Sequence, residues 1–169
     1  MKSVYRMISF LLWIPLCCIL LTGCQTKPDK KLGDGILDIQ IETNVQSMDP
    51  HKAIDGTSFE VIACITDGLT QPDSTGHAAP AIAESWSVSA DQKVWTFHLR
   101  DNALWSKTGS RVTAHDFVYA WQRAVTPATG SAYAYMLSEI AHITNAADII
   151  AGKKEPQTLG VEAPDDYTF

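Results

Sequence analysis

The segment 83–127 constrains the fold of this chain more than any other stretch. It contains four of the five tryptophans: Trp86, Trp95, Trp105 and Trp121. Large side chains alternate with serines over residues 85–89, and apolar and polar side chains alternate over residues 93–100, as they do in half-buried β-strands. We therefore predict two strands separated by a turn. The buried face of the second strand is predicted to carry Trp95, Phe97 and Leu99.

A helix is predicted after these strands. Thr113 and Asp116 have the spacing of a capping box, in which side chains and backbone N–H groups of the first helical turn pair with one another. Apolar side chains then recur at helical spacing, at Phe117, Ala120, Trp121, Ala124 and Val125. Pro127 cannot continue a helix, so the helix should end before it. Because the tryptophans have apolar neighbours, we predict core packing for them rather than an aromatic ligand platform.

The segment before the tryptophan-rich block predicts shorter elements. Apolar residues alternate with polar ones over 36–42, which predicts a strand. Turns are expected at Asp49-Pro50 and at 55–56, where Asp precedes Gly. Residues 59–69 have apolar side chains at helical spacing and predict a helix, and residues 71–80 have the composition of a turn.

The amino terminus resembles an export signal. Two basic residues precede an apolar run over residues 8–21, which is shorter than the roughly 20 residues that span a bilayer. Residues 21–24, LTGC, resemble the lipobox of bacterial lipoproteins, in which the cysteine is lipidated and becomes the first mature residue. We predict a signal peptide over 1–23, a lipid anchor on Cys24 and a flexible tether over 24–35. A buried or anchoring apolar helix is the alternative.

Charge and composition exclude several function classes. Without Lys2 and Arg6 of the predicted signal, 11 of the 13 basic residues remain against 19 acidic ones, a net charge of −8. Nucleic acid needs a basic surface that this chain lacks. Cys64 alone remains outside the signal and Cys24, the histidines are scattered, and no nucleophile-elbow motif occurs. We predict no disulfide, metal site, cofactor or catalytic residue, and therefore no enzyme.

Several motifs in fixed order resemble one protein family. The motifs are SMDPHK at 47–52, DGL at 67–69, AESW at 83–86, WTFHLR at 95–100, WS at 105–106, VTA at 112–114, DFV at 116–118, WQR at 121–123, AGKK at 151–154 and LGV at 159–161. In this order they resemble the family-5 extracellular solute-binding proteins of ABC importers, and most of all their oligopeptide-binding branch. The resemblance covers nearly all of residues 36–169.

The resemblance implies a fold class and a domain plan. The fold would be α/β, the amino-terminal portion of a two-lobed periplasmic-binding-protein-like fold of class II with a small inserted α/β domain. Residues 36–49 would supply the first strand of lobe I, and residues 50–169 the small domain and the start of the return to lobe I. Family members run to several hundred residues, so a truncated chain is expected.

The resemblance also implies a function. The protein would capture oligopeptides between its lobes, act as a monomer and deliver them to an ABC permease, from the periplasm or the outer face of the cytoplasmic membrane. Dipeptides, nickel, haem and sugars are alternative ligands, and a truncated lipoprotein that does not transport is an alternative function. Peptides would be bound by strand addition, in which backbone groups pair with an extended ligand.

Four residues match ligand-binding positions of the family. Asp55, Gly56 and Thr57 lie in the loop that lines the cleft and pairs with the ligand backbone, and Tyr133 lies where a cleft tyrosine is found. Each also has a plain structural interpretation. Asp55 and Gly56 would form only a tight turn, and Tyr133 would pack its ring at the start of a helix.

Overall fold

The structure, a computed structural model, describes residues 39–169. The predicted signal peptide, the Cys24 lipidation site and the tether lie outside these residues. The chain divides into two units, Met1–Gln40 and Ile41–Phe169. No helix of the described part is long and apolar enough to cross a membrane.

The strand predicted over 36–42 does not form within residues 39–42. Residues 39–42 have no strand structure, and residues 36–38 lie outside the described range. A strand forms only when a neighbouring strand accepts and donates its backbone hydrogen bonds. The pairings found within residues 39–169 all involve segments further along the chain.

The first helix, α1, spans Gly56–Ile65. It begins because Asp55 is extended and its carboxylate Oδ1 accepts a hydrogen bond from the Ser58 N–H at 2.8 Å. It ends at Thr66, which bonds back to the Ile62 carbonyl through both its N–H and its hydroxyl.

Both predicted boundaries of this helix were therefore wrong. The Asp-Gly pair at 55–56 starts the helix instead of forming a separate tight turn. The helix stops before Gly68 because the Gly68 and Leu69 carbonyls accept hydrogen bonds from Ile82 and Ala83 at 3.1 and 2.9 Å. These tertiary hydrogen bonds require extended backbone.

A short hairpin occupies the segment that composition assigns to a turn. Strands β1 (Thr70–Pro72) and β2 (Ala78–Pro80) pair antiparallel. Only the centre is a turn, where Asp73 Oδ1 accepts N–H bonds from Thr75 and His77 at 2.8 and 3.0 Å. The prediction of a turn over 71–80 is therefore wrong on both sides of this centre, where β1 and β2 lie. Strands of three residues are too short to show an alternating pattern in the sequence.

The two strands predicted from the tryptophan-rich block are present. Strands β3 (Ala83–Val88) and β4 (Trp95–Leu99) pair antiparallel, with Trp86 opposite Phe97. The carboxyl-terminal segment lies on the other edge of β4, where Phe97 and Phe169 exchange backbone hydrogen bonds at 2.8 and 3.0 Å.

The apolar face of β4 is buried at one end only. Leu99 is buried, but Trp95 remains 54% exposed beside the hairpin turn, opposite the exposed Val88. Trp105 is exposed as well, and its indole N–H lies 3.4 Å from Asp116 Oδ2. Core packing of the tryptophans is therefore wrong for Trp95 and Trp105.

The second helix, α2, spans Ala114–Val125 and agrees with the prediction. Its amino terminus is capped by the Asp116 carboxylate, which accepts a hydrogen bond from the Thr113 N–H at 2.8 Å. Its end precedes Pro127, which begins a 3₁₀-helix over Pro127–Thr129. The remaining helical elements are a π-helical turn at Met136–Ile140, helix α3 at Ala146–Ile150 and a 3₁₀-helix at Pro156–Thr158.

Two apolar clusters hold these elements together, and α2 connects them. The first cluster consists of Ile82, Ala83, Leu99, Val112 and Ala114. The second consists of Val125, Ala146, Ile149 and Leu159. Phe169 packs between them, with its ring centroid 5.9 Å from that of Phe117 and 5.2 Å from that of Trp121. The helix α2 is thus packed at both ends, through Ala114 in the first cluster and Val125 in the second.

Candidate functional site

The predicted ligand loop lies at the amino terminus of α1. Both carboxylate oxygens of Asp55 are already used within the chain. Oδ1 accepts from the Ser58 N–H at 2.8 Å, and Oδ2 accepts from the Ser58 hydroxyl at 2.7 Å. The Ser58 hydroxyl and N–H lower the pKa of the Asp55 carboxyl, so it is charged at neutral pH. Asp55 thus acts as a helix cap, and its side chain is directed into the loop.

Gly56 and Thr57 are the first two residues of α1. An α-helix leaves its first N–H groups without partners inside the helix. A Cβ atom added to Gly56 would meet nothing within 4 Å, so the space beside this backbone is open. The Thr57 hydroxyl lies 2.9 Å from the Thr43 hydroxyl.

Tyr133 contacts the same helix. Its ring stands edge-on to that of Phe59, at a centroid distance of 5.4 Å and an interplanar angle of 71°. Phe59 follows Thr57 within the first turns of α1, so the structure brings the four predicted residues to one end of one helix. The Tyr133 side chain packs on Phe59 and is still 40% exposed. Its geometry is compatible with both a packing role and a ligand role.

Ser58 is a buried polar residue that the sequence patterns did not reveal. It is fully buried, and its hydroxyl accepts hydrogen bonds from the Gln46 and Ser47 N–H groups at 3.0 and 3.1 Å while it donates to Asp55. The two segments 46–47 and 55–58 therefore meet at one hydroxyl. A serine on the buried side of a helix has no local sequence signature of such a role.

An ion pair joins the loop to α2. Arg123, in the last turn of α2, binds the Asp49 carboxylate through two nitrogens, at 2.8 and 2.5 Å, and also contacts the His51 ring nitrogen Nδ1. The hydrogen bonds between the two side chains lower the pKa of the Asp49 carboxyl and raise the pKa of the Arg123 guanidinium. Burial, followed by the charge of Arg123, lowers the pKa of His51.

This ion pair links two of the motifs on which the family resemblance rests, SMDPHK and WQR. The predicted turn at Asp49-Pro50 is present, since the Asp49 carbonyl accepts from the Lys52 and Ala53 N–H groups at 3.0 and 2.9 Å. Asp49 and Arg123 are 74 residues apart, so no local pattern signals the pair. Within residues 39–169 no group of three or more His, Cys, Asp or Glu side chains is arranged to hold a metal ion.

Comparison with known proteins identifies the family. The model of the bacterial extracellular solute-binding proteins, family 5, middle region, matches residues 77–169. The chain belongs to this family. Family 5 is a family of solute-binding proteins and not of enzymes. The resemblance drawn from the ordered motifs is therefore confirmed.

Oligopeptide-binding proteins are among the similar members of family 5. The periplasmic oligopeptide-binding protein OppA of Haemophilus influenzae is 52% identical over 124 residues, which cover 73% of this chain and 23% of that protein. OppA of Salmonella typhimurium is 46% identical over 159 residues, which cover 91% of this chain and 29% of that protein. The chain thus spans less than a third of the length of these relatives.

A solved structure supports the fold. The crystal structure of Haemophilus influenzae OppA in complex with the peptide RPPGFSPFR matches with a TM-score of 0.69 and 53% identity, over 73% of this chain and 24% of that one. The α/β fold class, part of a periplasmic-binding-protein-like fold, is therefore confirmed.

Proposed function

We propose that this chain is part of the substrate-binding component of an ABC peptide importer, which captures oligopeptides outside the cytoplasm and delivers them to a membrane permease. The observation that carries the proposal is the 46–52% identity to two oligopeptide-binding proteins, the first of which is solved with a peptide bound. The proposed protein acts as a monomer. Residues 36–49 belong to its lobe I, and residues 50–169 form its small domain and the start of the return to lobe I.

The proposed ligand contacts are the backbone of residues 55–57 and the ring of Tyr133. The Asp55 carboxylate is occupied by Ser58, so this loop offers a ligand mainly backbone groups and the Thr57 hydroxyl. Backbone pairing binds an extended peptide without reading its sequence. The open space beside Gly56 lets a second backbone approach, and the exposed part of Tyr133 supplies an apolar and hydrogen-bonding surface next to it.

The proposed location is extracytoplasmic, attached to the cell envelope in the periplasm or at the outer face of the cytoplasmic membrane. Residues 1–23 would direct export, and acyl chains on Cys24 would hold the mature protein at the membrane through the tether over 24–35. A single acyl chain binds membranes only marginally, so stable attachment needs more than one. The lipobox-like LTGC at 21–24 supports this part of the proposal.

Titration of the complete gene product with a pool of short peptides tests the proposed function. Binding is followed by calorimetry and by tryptophan emission. We expect saturable binding, weakened on the order of tenfold by Gly56→Val or Tyr133→Ala, a loss of the size that one well-placed contact supplies. Val94→Ala is the control, because Val94 is exposed in the turn between β3 and β4 and its replacement should leave the affinity unchanged. The proposal is wrong if no peptide in the pool gives saturable binding.

A further inference from the structure

We propose that Arg123, together with Asp49 and His51, positions the loop that leads into α1 and thereby raises peptide affinity without touching the peptide. The inference rests on the proposed function, since it assigns a role to residues that support the proposed site. Arg123 is a positioning residue in this account, because its guanidinium acts on the loop through Asp49.

The anchor of this arrangement is rigid. Arg123 lies in the last turn of α2, two residues before the buried Val125 of the second apolar cluster. The two nitrogen contacts to the carboxylate fix both the distance and the direction of Asp49, which a single contact would not do. The side chains of both residues are only 29% exposed, so water screens this pair less than a fully exposed one.

A continuous set of hydrogen bonds connects the anchor to the ligand loop. The Asp49 carboxylate also accepts from the His51 N–H at 3.0 Å, and its carbonyl accepts from the Lys52 and Ala53 N–H groups. These hydrogen bonds close the turn over residues 49–53, and Ala53 at its end is buried. Only one residue separates Ala53 from Asp55, so the position of the turn fixes where the helix cap begins.

The other end of the loop is held independently by Ser58. Its hydroxyl ties the backbone of Gln46 and Ser47 to the Asp55 carboxylate. The segment 46–58 is therefore fixed to α2 on one side and to α1 on the other. If Arg123 is removed, the Ser58 attachment remains and the turn at 49–53 is released. The expected result is a mobile ligand loop in a folded domain.

His51 provides a second contact for Arg123, which depends on hydrogen-bond geometry as well as on charge. Its ring nitrogen Nδ1 faces an Arg123 N–H group, so the neutral ring accepts a hydrogen bond from the guanidinium. Arg123 thus contacts two residues of the same turn. A lysine at this position keeps the charge but cannot form the two-nitrogen contact and reach His51 in the same geometry.

The test compares variants of the complete gene product. Arg123→Gln, Asp49→Asn and the double variant remove the pair, and Arg123→Lys keeps the charge. Lys154→Gln is the ion-pair control, because Lys154 forms an exposed pair with Asp148 at 3.3 Å. Ile149→Val is the stability control, because it removes one methyl group from the second cluster. Each variant is measured for peptide affinity, thermal unfolding and amide hydrogen exchange over residues 46–58, at a temperature where all are folded.

We expect Arg123→Gln and Asp49→Asn to weaken peptide binding between about 2- and 30-fold, the range seen for residues that act on a site without contacting the ligand. The double variant should lose no more than either single one, and Arg123→Lys should fall between Arg123→Gln and the unmodified protein. Exchange should accelerate within 46–58 and stay unchanged in β3 and β4. The two controls should keep the original affinity.

Two results would overturn this inference. One is unchanged exchange over 46–58 in Arg123→Gln, because the loop would then be fixed without the ion pair. The other is an equal loss of affinity in Ile149→Val at a matched decrease in melting temperature, because global stability would then explain the effect. If the unmodified protein binds no peptide, the proposed function fails, and the exchange measurement still decides whether Arg123 positions the loop.

Discussion

Replacement of Ser58 by alanine is the sharpest test of how the loop is built. Ser58 is fully buried, and its hydroxyl makes three hydrogen bonds, one donated to Asp55 Oδ2 and two accepted from the Gln46 and Ser47 N–H groups. Ser58→Ala removes all three and adds no volume. One carboxylate oxygen and two backbone N–H groups are left to find other partners.

The size of the effect follows from these partners. A neutral hydrogen bond contributes about 0.5–1.5 kcal/mol net, and one to a charged group about 1.5–3 kcal/mol. Gln46 is exposed, so water replaces part of the loss there. We expect the free energy of unfolding to fall by about 2–3 kcal/mol. For a domain of this size the melting temperature should fall by roughly 6–15 °C.

The assay is thermal and urea unfolding followed by circular dichroism and tryptophan emission. Ser87→Ala is the control, because Ser87 is exposed on β3 and its replacement should change stability by no more than about 0.5 kcal/mol. If Ser58→Ala is as stable as the control, the hydroxyl does not hold the loop together and the account of the loop is wrong.

Three further predictions concern other parts of the chain. The pKa of His51 in the folded state lies below its ordinary value of 6.5, so the unfolded chain takes up the proton first as the pH falls. The free energy of unfolding should therefore decrease as the pH drops below about 6.5. Unfolding of His51→Gln, measured over the same pH range, should lack this decrease. Asp116→Ala removes the cap of α2 and should cost about 1 kcal/mol in urea unfolding, with unchanged stability arguing against the cap. Cys24→Ser should abolish incorporation of labelled fatty acid into the protein, and undiminished incorporation would refute lipidation at this residue.

Local patterns were sufficient where local forces decide the structure. Thr113 and Asp116 fix the start of α2, and Pro127 limits its end, so its bounds follow from three residues. The alternation likewise predicted the pairing of β3 with β4, but only the end of the hairpin with Ala83 and Leu99 is buried in the first cluster. Local patterns were insufficient for α1. An Asp-Gly pair suits both a turn and a helix start, and the buried Ser58 decides between them.

The candidate site was predictable only as a set of separate residues. The placement of Asp55–Thr57 and Tyr133 near one another depends on the contact between Phe59 and Tyr133, and the support of the loop depends on Asp49 and Arg123. Each of these contacts joins residues more than 70 positions apart. A single sequence carries no periodicity at that separation, so these partners became evident only in the folded structure.

Amide hydrogen exchange with and without bound peptide tests the central claim most directly. The complete gene product is saturated with a peptide from the binding pool, and exchange is compared for each segment. If a peptide pairs with the backbone of the loop, the amides of Gly56 and Thr57 should be protected, and the segment that contains Tyr133 should also slow. If the peptide binds saturably and protects other segments while residues 55–57 exchange as before, the proposed site is wrong.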